Sequence, residues 1–125
     1  MSLPVPPPGT RAFPRSARLT RPAQYRRVFQ GAERFADRYF TLLAAGGAPE
    51  PRLGLAISRR VAPRAVDRNR LKRLVRESFR AQRAALPAVD AVVMARPAAR
   101  HAGNAELAAA LDRLWRRMAQ RCAGS

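Results

Sequence analysis

From Ser58 to Arg83 the chain reads SRRVAPRAVDRNRLKRLVRESFRAQR, and nowhere else do charge and helical period coincide so strongly. Ten basic residues (Arg59, Arg60, Arg64, Arg68, Arg70, Lys72, Arg73, Arg76, Arg80, Arg83) stand against Asp67 and Glu77, a net of +8 in a chain whose formal charge is +17. Leu71, Leu74, Val75 and Phe79 follow the i, i+3, i+4, i+8 spacing of one buried helix face. At about 100° per residue, Asn69, Lys72, Arg73, Arg76, Arg80 and Arg83 fall in an arc of roughly 100° opposite that face. Asp67 is the expected N-cap, and Leu86-Pro87 marks the end, because the residue before proline avoids helical geometry. A merely solvated helix face interleaves both signs, since like charges one turn apart repel by a few tenths of a kcal/mol per pair. This run instead predicts a polyanionic partner.

At 125 residues the chain suits one domain with a modest core. Its charge and a pI near 12 point to nucleic acid or an anionic membrane. All basic residues but Lys72 are arginine, whose planar fork suits phosphates and stacks on bases. A GC-rich genome writes the same Ala, Arg, Pro and Gly bias, so composition alone does not select RNA. Cys122 is the sole cysteine, which excludes an internal disulfide framework and implies a reducing compartment. Prolines at 4, 6, 7 and 8 and the arginines from Arg11 break any secretory h-region, and no apolar run approaches the ~18 residues of a spanning helix. The expectation is a soluble, cytoplasmic protein with no membrane association.

Residues 1–17, rich in proline and arginine, read as a disordered arm; residues 18–121 read as one α/β domain and 122–125 as a tail. Thr20 is expected to cap a first helix carrying the stripe Tyr25, Val28 and Phe29 and stopping at Gly31. That stripe suits core packing, though aromatic and basic side chains on one helix also offer stacking surfaces to unpaired bases. Strands are expected over Tyr39–Ala45, Arg52–Ser58 and Ala88–Arg96. In the second, Leu53, Leu55 and Ile57 point one way, and Gly54, Ala56 and Ser58 form a small-residue face that admits a packed helix or a nucleic-acid strand closely. Asn104 is the expected N-cap of a last helix with Leu107, Leu111, Leu114, Trp115 and Met118 on its core face, Trp115 serving as a core anchor.

The eight acidic residues are scattered along the chain, so nothing advertises the carboxylate cluster of a protein-only metal nuclease. His101, the sole histidine, is expected in a loop and is too isolated for a triad or zinc site. Neither catalytic nor metal-ligating residues are expected. The chain should act by binding.

The run Arg68-Asn69-Arg70-Leu71-Lys72-Arg73-Leu74-Val75-Arg76-Glu77 resembles the RNR motif of the bacterial ribonuclease P protein subunit. The resemblance extends upstream through Gly54, Leu55, Ala56, Ile57, Ser58, Arg59 and Arg60, and to Leu19, Thr20, Tyr25, Val28, Phe29 and Gly31 in the first helix. It covers about residues 18 to 118. It implies an α+β fold: a compact α/β sandwich of about four strands and three helices, with the basic helix making a left-handed βαβ crossover, against the general rule. It also implies an accessory subunit of a ribonucleoprotein endoribonuclease that removes the 5′ leader of precursor tRNA, with the catalytic centre in RNA. Magnesium would be held mainly by that RNA, and no obligate protein partner is implied. Arg59, Arg60, Arg68, Asn69, Arg70, Lys72, Arg73 and Arg76 would face the catalytic RNA; Tyr25 and Phe29 would line a cleft for the leader. A ribosomal-type structural RNA-binding protein shares the charge without the three ordered matches. A basic membrane-surface protein does not suit the strands.

Overall fold

The computed structural model describes residues 18–122, so the expected arm over 1–17 and the tail beyond Cys122 lie outside the described residues. Three α-helices and four strands follow one another as α1 (Pro22–Gly31), β1 (Glu33–Ala36), β2 (Phe40–Gly46), β3 (Arg52–Ala56), α2 (Ala65–Gln82), β4 (Val89–Ala95) and α3 (Asn104–Cys122). Short 3-10 turns, Arg83–Ala85 and Pro97–His101, follow α2 and β4. The sheet order is β1-β2-β4-β3, with β3 and β4 parallel and the other pairs antiparallel. Helix α2 therefore joins two parallel neighbours.

The sheet has a helix layer on each side. On one, α2 and α3 cover Leu42, Leu53, Ala91 and Val93 and bury Leu71, Val75, Phe79, Leu107, Leu111, Leu114, Trp115 and Met118. Trp115 is the centre of this layer: its ring meets Phe79 edge-on at 5.6 Å, and its indole N–H donates to Ser78 Oγ at 2.8 Å. On the other side α1 inserts Val28 into a much smaller cluster with Leu19, Ala45 and Val92. Central strands β2 and β4 are covered on both faces, which is why their apolar runs are nearly continuous rather than alternating. Edge strand β3 shows the predicted alternation, with Leu53 and Leu55 on the large-core side and Ala56 on the α1 side; it ends at Ala56, short of the expected Ser58, and Ile57 just beyond it is still buried in the large core.

The caps differ from expectation. Helix α1 starts after Arg21, not Thr20; the Gln24 side-chain oxygen reaches back to accept the backbone N–H groups of Thr20 (2.8 Å) and Arg21 (2.9 Å). The N-cap of α2 is Arg64, so Asp67 lies in the first turn, where its charge still complements the helix dipole. Asn104 is the first helical residue of α3, and its Oδ1 accepts from Arg70 at 2.6 Å. His101 belongs to a 3-10 turn rather than an irregular loop. The β1–β2 connection is an Asx-type turn in which Asp37 Oδ1 accepts the N–H groups of Tyr39 and Phe40.

Candidate nucleic-acid interface

Helix α2 lays Leu71, Val75 and Phe79 into the core and turns its opposite side to solvent. Asn69, Arg73 and Arg76 are exposed there, and Lys72 is half-buried on the side toward α1. Among the described residues, no carboxylate pairs with Arg59, Arg60, Lys72, Arg73 or Arg76; the ion pairs present are Arg27–Asp90, Arg52–Asp90, Arg83–Glu50 and Arg121–Glu33. The expected arc is thus shorter than the wheel suggests. At its C-terminal end Arg80 is half-buried, and Arg83 bends away to Glu50 (3.1 Å) and the Pro51 carbonyl.

The two arginines of the RNR motif flank this ridge, one helical residue to either side of Asn69, and both are half-buried. Arg68 donates through Nη1 to the carbonyls of Ala62 (3.0 Å) and Pro63 (2.8 Å), bracing the turn that precedes α2. Arg70 donates to Asn104 Oδ1 and, through Nη2, to the carbonyls of Arg100 and Ala102, bracing the turn that precedes α3. Ser58 shapes the intervening turn: its Oγ accepts the Val61 N–H and its carbonyl accepts that of Ala62. Arg59 and Arg60 project from this turn and are exposed.

The α1 side supplies the aromatic element. Tyr25 packs against Gly54, where an added Cβ would stand only 2.8 Å from the ring, so the small residue is what admits the aromatic. The Tyr25 hydroxyl accepts the Leu55 N–H at 3.3 Å. A groove of about 170 Å³ runs between Tyr25, Arg18, Leu19, Leu53 and Leu55 on one side and Lys72 and Arg76 on the other. An aromatic ring and two ridge cations therefore share one depression. Of the two readings of Phe29, core packing and an open stacking surface, its 51% exposure removes the first; the α1 stripe splits, with Val28 inward and Phe29 to solvent. Val66, 62% exposed at the start of α2, is a second large apolar side chain open to solvent.

Beneath α1, Asp90 is fully buried and bridges two arginines: Arg52 holds it with a two-pronged contact (2.6 and 2.8 Å), and Arg27 donates to Oδ2 and to the Gly46 carbonyl. Burial pushes the Asp90 carboxyl up, but the hydrogen bonds and charges of Arg52 and Arg27 outweigh it and hold the group below the usual carboxylate range. The hydrogen bond to Asp90 also raises the Arg52 guanidinium. Tyr39 donates its hydroxyl to Glu106, and that bond raises its pKa. Several acidic groups are thus already engaged: Asp90, Glu50, Glu33 and Glu106 with side chains and Asp37 with backbone N–H groups. Among the described residues no three His, Cys, Asp or Glu side chains come together as a metal site. Also among the described residues, no helix is long and apolar enough to cross a membrane.

Sequence reasoning did not find the Arg27–Asp90–Arg52 bridge or the groove contributions of Arg18 and Leu19. It marked Asn104 only as a cap. No local pattern announces these contacts, since Asp90 is 38 residues from Arg52 and Asn104 is 34 from Arg70.

The geometry agrees with what the chain is similar to. The family model for Ribonuclease P matches residues 13–119. A ribonuclease P protein component of Thioalkalivibrio sulfidiphilus is 54% identical over 89% of this chain and 93% of its own length. One from Methylococcus capsulatus is 49% identical over 100% of this chain and 98% of its own. Among solved structures, the Thermotoga maritima RNase P protein superposes with a TM-score of 0.72 at 27% identity, covering 80% of this chain and 96% of that one. The Staphylococcus aureus RNase P protein gives 0.74 at 26%, covering 78% and 91%. A basic ridge beside an aromatic groove on a mixed four-stranded sheet thus sits in a chain that belongs to the ribonuclease P protein family, the protein component of the endoribonuclease that matures the 5′ end of tRNA.

Proposed function

We propose that the chain binds the catalytic RNA of ribonuclease P along the exposed side of α2 and the 5′ leader of precursor tRNA in the groove beside it. On this reading Asn69, Lys72, Arg73 and Arg76, with Arg59 and Arg60 from the preceding turn, contact RNA backbone, and Arg68 and Arg70 contribute from the flanks. Tyr25 and Phe29 contact the leader. The observation that carries the reading is the set of cations on one face of α2 that no carboxylate of the described residues neutralises. Stacking like charges along one helix face is unfavourable in isolation; a phosphate backbone relieves it and releases counterions.

The protein then contributes positioning and charge neutralisation. Magnesium would be held by the RNA, which performs the cleavage. Tyr25 would present a ring to a base of the leader beside the catalytic-RNA backbone held by Lys72 and Arg76, so one groove serves the single strand whatever its sequence. Residues 18–121 would form the RNA-binding unit, and the reaction would take place in the cytoplasm with no protein partner required.

Reconstitution with the cognate catalytic RNA tests this. Leader removal at low magnesium should be faster with the protein than with RNA alone, and the Arg73→Ala/Arg76→Ala variant should lose that gain. Equal rates with and without the wild-type chain would end the proposal.

A further inference from the structure

Near the start of α2 lies an open groove of about 540 Å³, lined by Val66, Asp67, Asn69, Arg70 and Arg73. Of the two arginines that line it, Arg70 is the one hydrogen-bonded to acceptors outside its own helix. Its Nη1 donates to Asn104 Oδ1 at 2.6 Å, and its Nη2 donates to the carbonyls of Arg100 at 3.2 Å and Ala102 at 3.3 Å. A guanidinium has five N–H donors, so these three contacts leave two for a ligand. The three acceptors all belong to the segment that leads into α3.

We propose that Asn104 is a positioning residue for RNA binding, acting through Arg70. This rests on the reading that α2 carries the RNA interface. An unrestrained arginine loses rotamer freedom when it is fixed on a phosphate. Here that freedom is already spent in the free protein, because the fork is held against Asn104 and two carbonyls. The shortest of the three contacts is the side-chain one. The same link ties the second turn of α2, in the stretch that also carries Asn69 and Arg73, to the start of α3. Asn104 itself need not touch RNA.

The test measures binding of the full chain to the cognate catalytic RNA across a salt series, with melting followed in parallel. Asn104→Ser keeps a residue favoured at a helix start but is too short to reach Arg70. It should weaken RNA binding about three- to tenfold with the dependence of log K on log salt unchanged, because no phosphate contact is removed. Asn104→Asp keeps an acceptor at the same reach and should recover most of the loss. Arg70→Ala should weaken binding further and make the slope shallower by ~1, the signature of a lost phosphate contact. In the Arg70→Ala background Asn104→Ser should have no further effect on affinity. If Asn104→Ser binds RNA as wild type does while Arg73→Ala is impaired, the positioning role is wrong and the interface stands. If neither variant alters binding, the interface itself is misplaced. Additive losses from Asn104→Ser and Arg70→Ala would also overturn the proposal, since they would mean that Asn104 acts independently of Arg70.

Discussion

The two faces of the sheet are built differently. The face under α2 and α3 is a dry, interdigitated layer in which Trp115, Phe79, Leu71, Leu107, Leu111 and Met118 are all essentially inaccessible. The face under α1 has a thin cluster of Leu19, Val28, Ala45 and Val92, beside which lie a buried carboxylate held by two arginines, a half-buried tyrosine and an exposed phenylalanine. The first face gives the chain its stability, and the second leaves aromatic rings and cations accessible. Helix α2 belongs to both: its inner side closes the large core, while Lys72 and Arg76 reach round to the groove of the other face. A function of binding can be placed on the thin side because the thick side carries the fold.

That contrast can be broken by substitution. The largest effect is expected for Trp115→Ala, which removes the largest fully buried side chain and orphans the Ser78 contact; it should cost about 3–5 kcal/mol in denaturant unfolding. Below its melting point the variant should still bind the catalytic RNA as wild type does. A loss of affinity in the fully folded variant would show that the two faces are not separable.

Asp90→Asn should cost about 3 kcal/mol, the low end for breaking a buried ion pair, because the Arg27 side chain is 45% exposed and can rehydrate. Its pH signature is specific. The folded-state pKa of Asp90 is depressed, so the stabilisation is fully present above the ordinary carboxylate range and is lost as pH falls through the lowered folded value. Wild type should therefore lose more stability than Asp90→Asn between about pH 5 and pH 2. Parallel acid-unfolding curves for the two proteins would show that the bridge contributes nothing.

Phe29→Ala sharpens the contrast from the other side. Its ring is 51% exposed and should contribute under ~0.5 kcal/mol to stability. If a leader base stacks on it, affinity for leader-bearing precursor should fall by ~1–3 kcal/mol, with binding of mature tRNA unchanged. Equal losses for both RNAs would remove Phe29 from the leader site.

Much of this arrangement was legible in the sequence, and the exceptions share a cause. Helical period and alternation located α1, α2, α3, β2, β3 and β4, because each carries a run of large side chains with one dominant period. Strand β1 went unnamed: of Glu33-Arg34-Phe35-Ala36 only Phe35 is buried, so an edge strand of this length has almost no pattern to read. The ridge of Asn69, Arg73 and Arg76 follows from the wheel, whereas Arg83 does not stay on it, since its partner Glu50 sits in a loop 33 residues away. Spacing alone leaves Phe29 open between core and stacking surface, because a helical stripe does not record how wide a surface the helix covers. The anchoring of Arg68 and Arg70 was invisible for a related reason: most of the acceptors are backbone carbonyls, which every residue has.

The central claim, that the exposed side of α2 grips RNA by its phosphates, is tested most directly by the salt dependence of binding to the cognate catalytic RNA. Wild type and Arg73→Ala/Arg76→Ala are compared over the same salt series. If both arginines contact phosphates, the slope of log K against log salt should become shallower by roughly 1.5–2 in the variant. An identical slope and affinity for the two proteins would contradict the account.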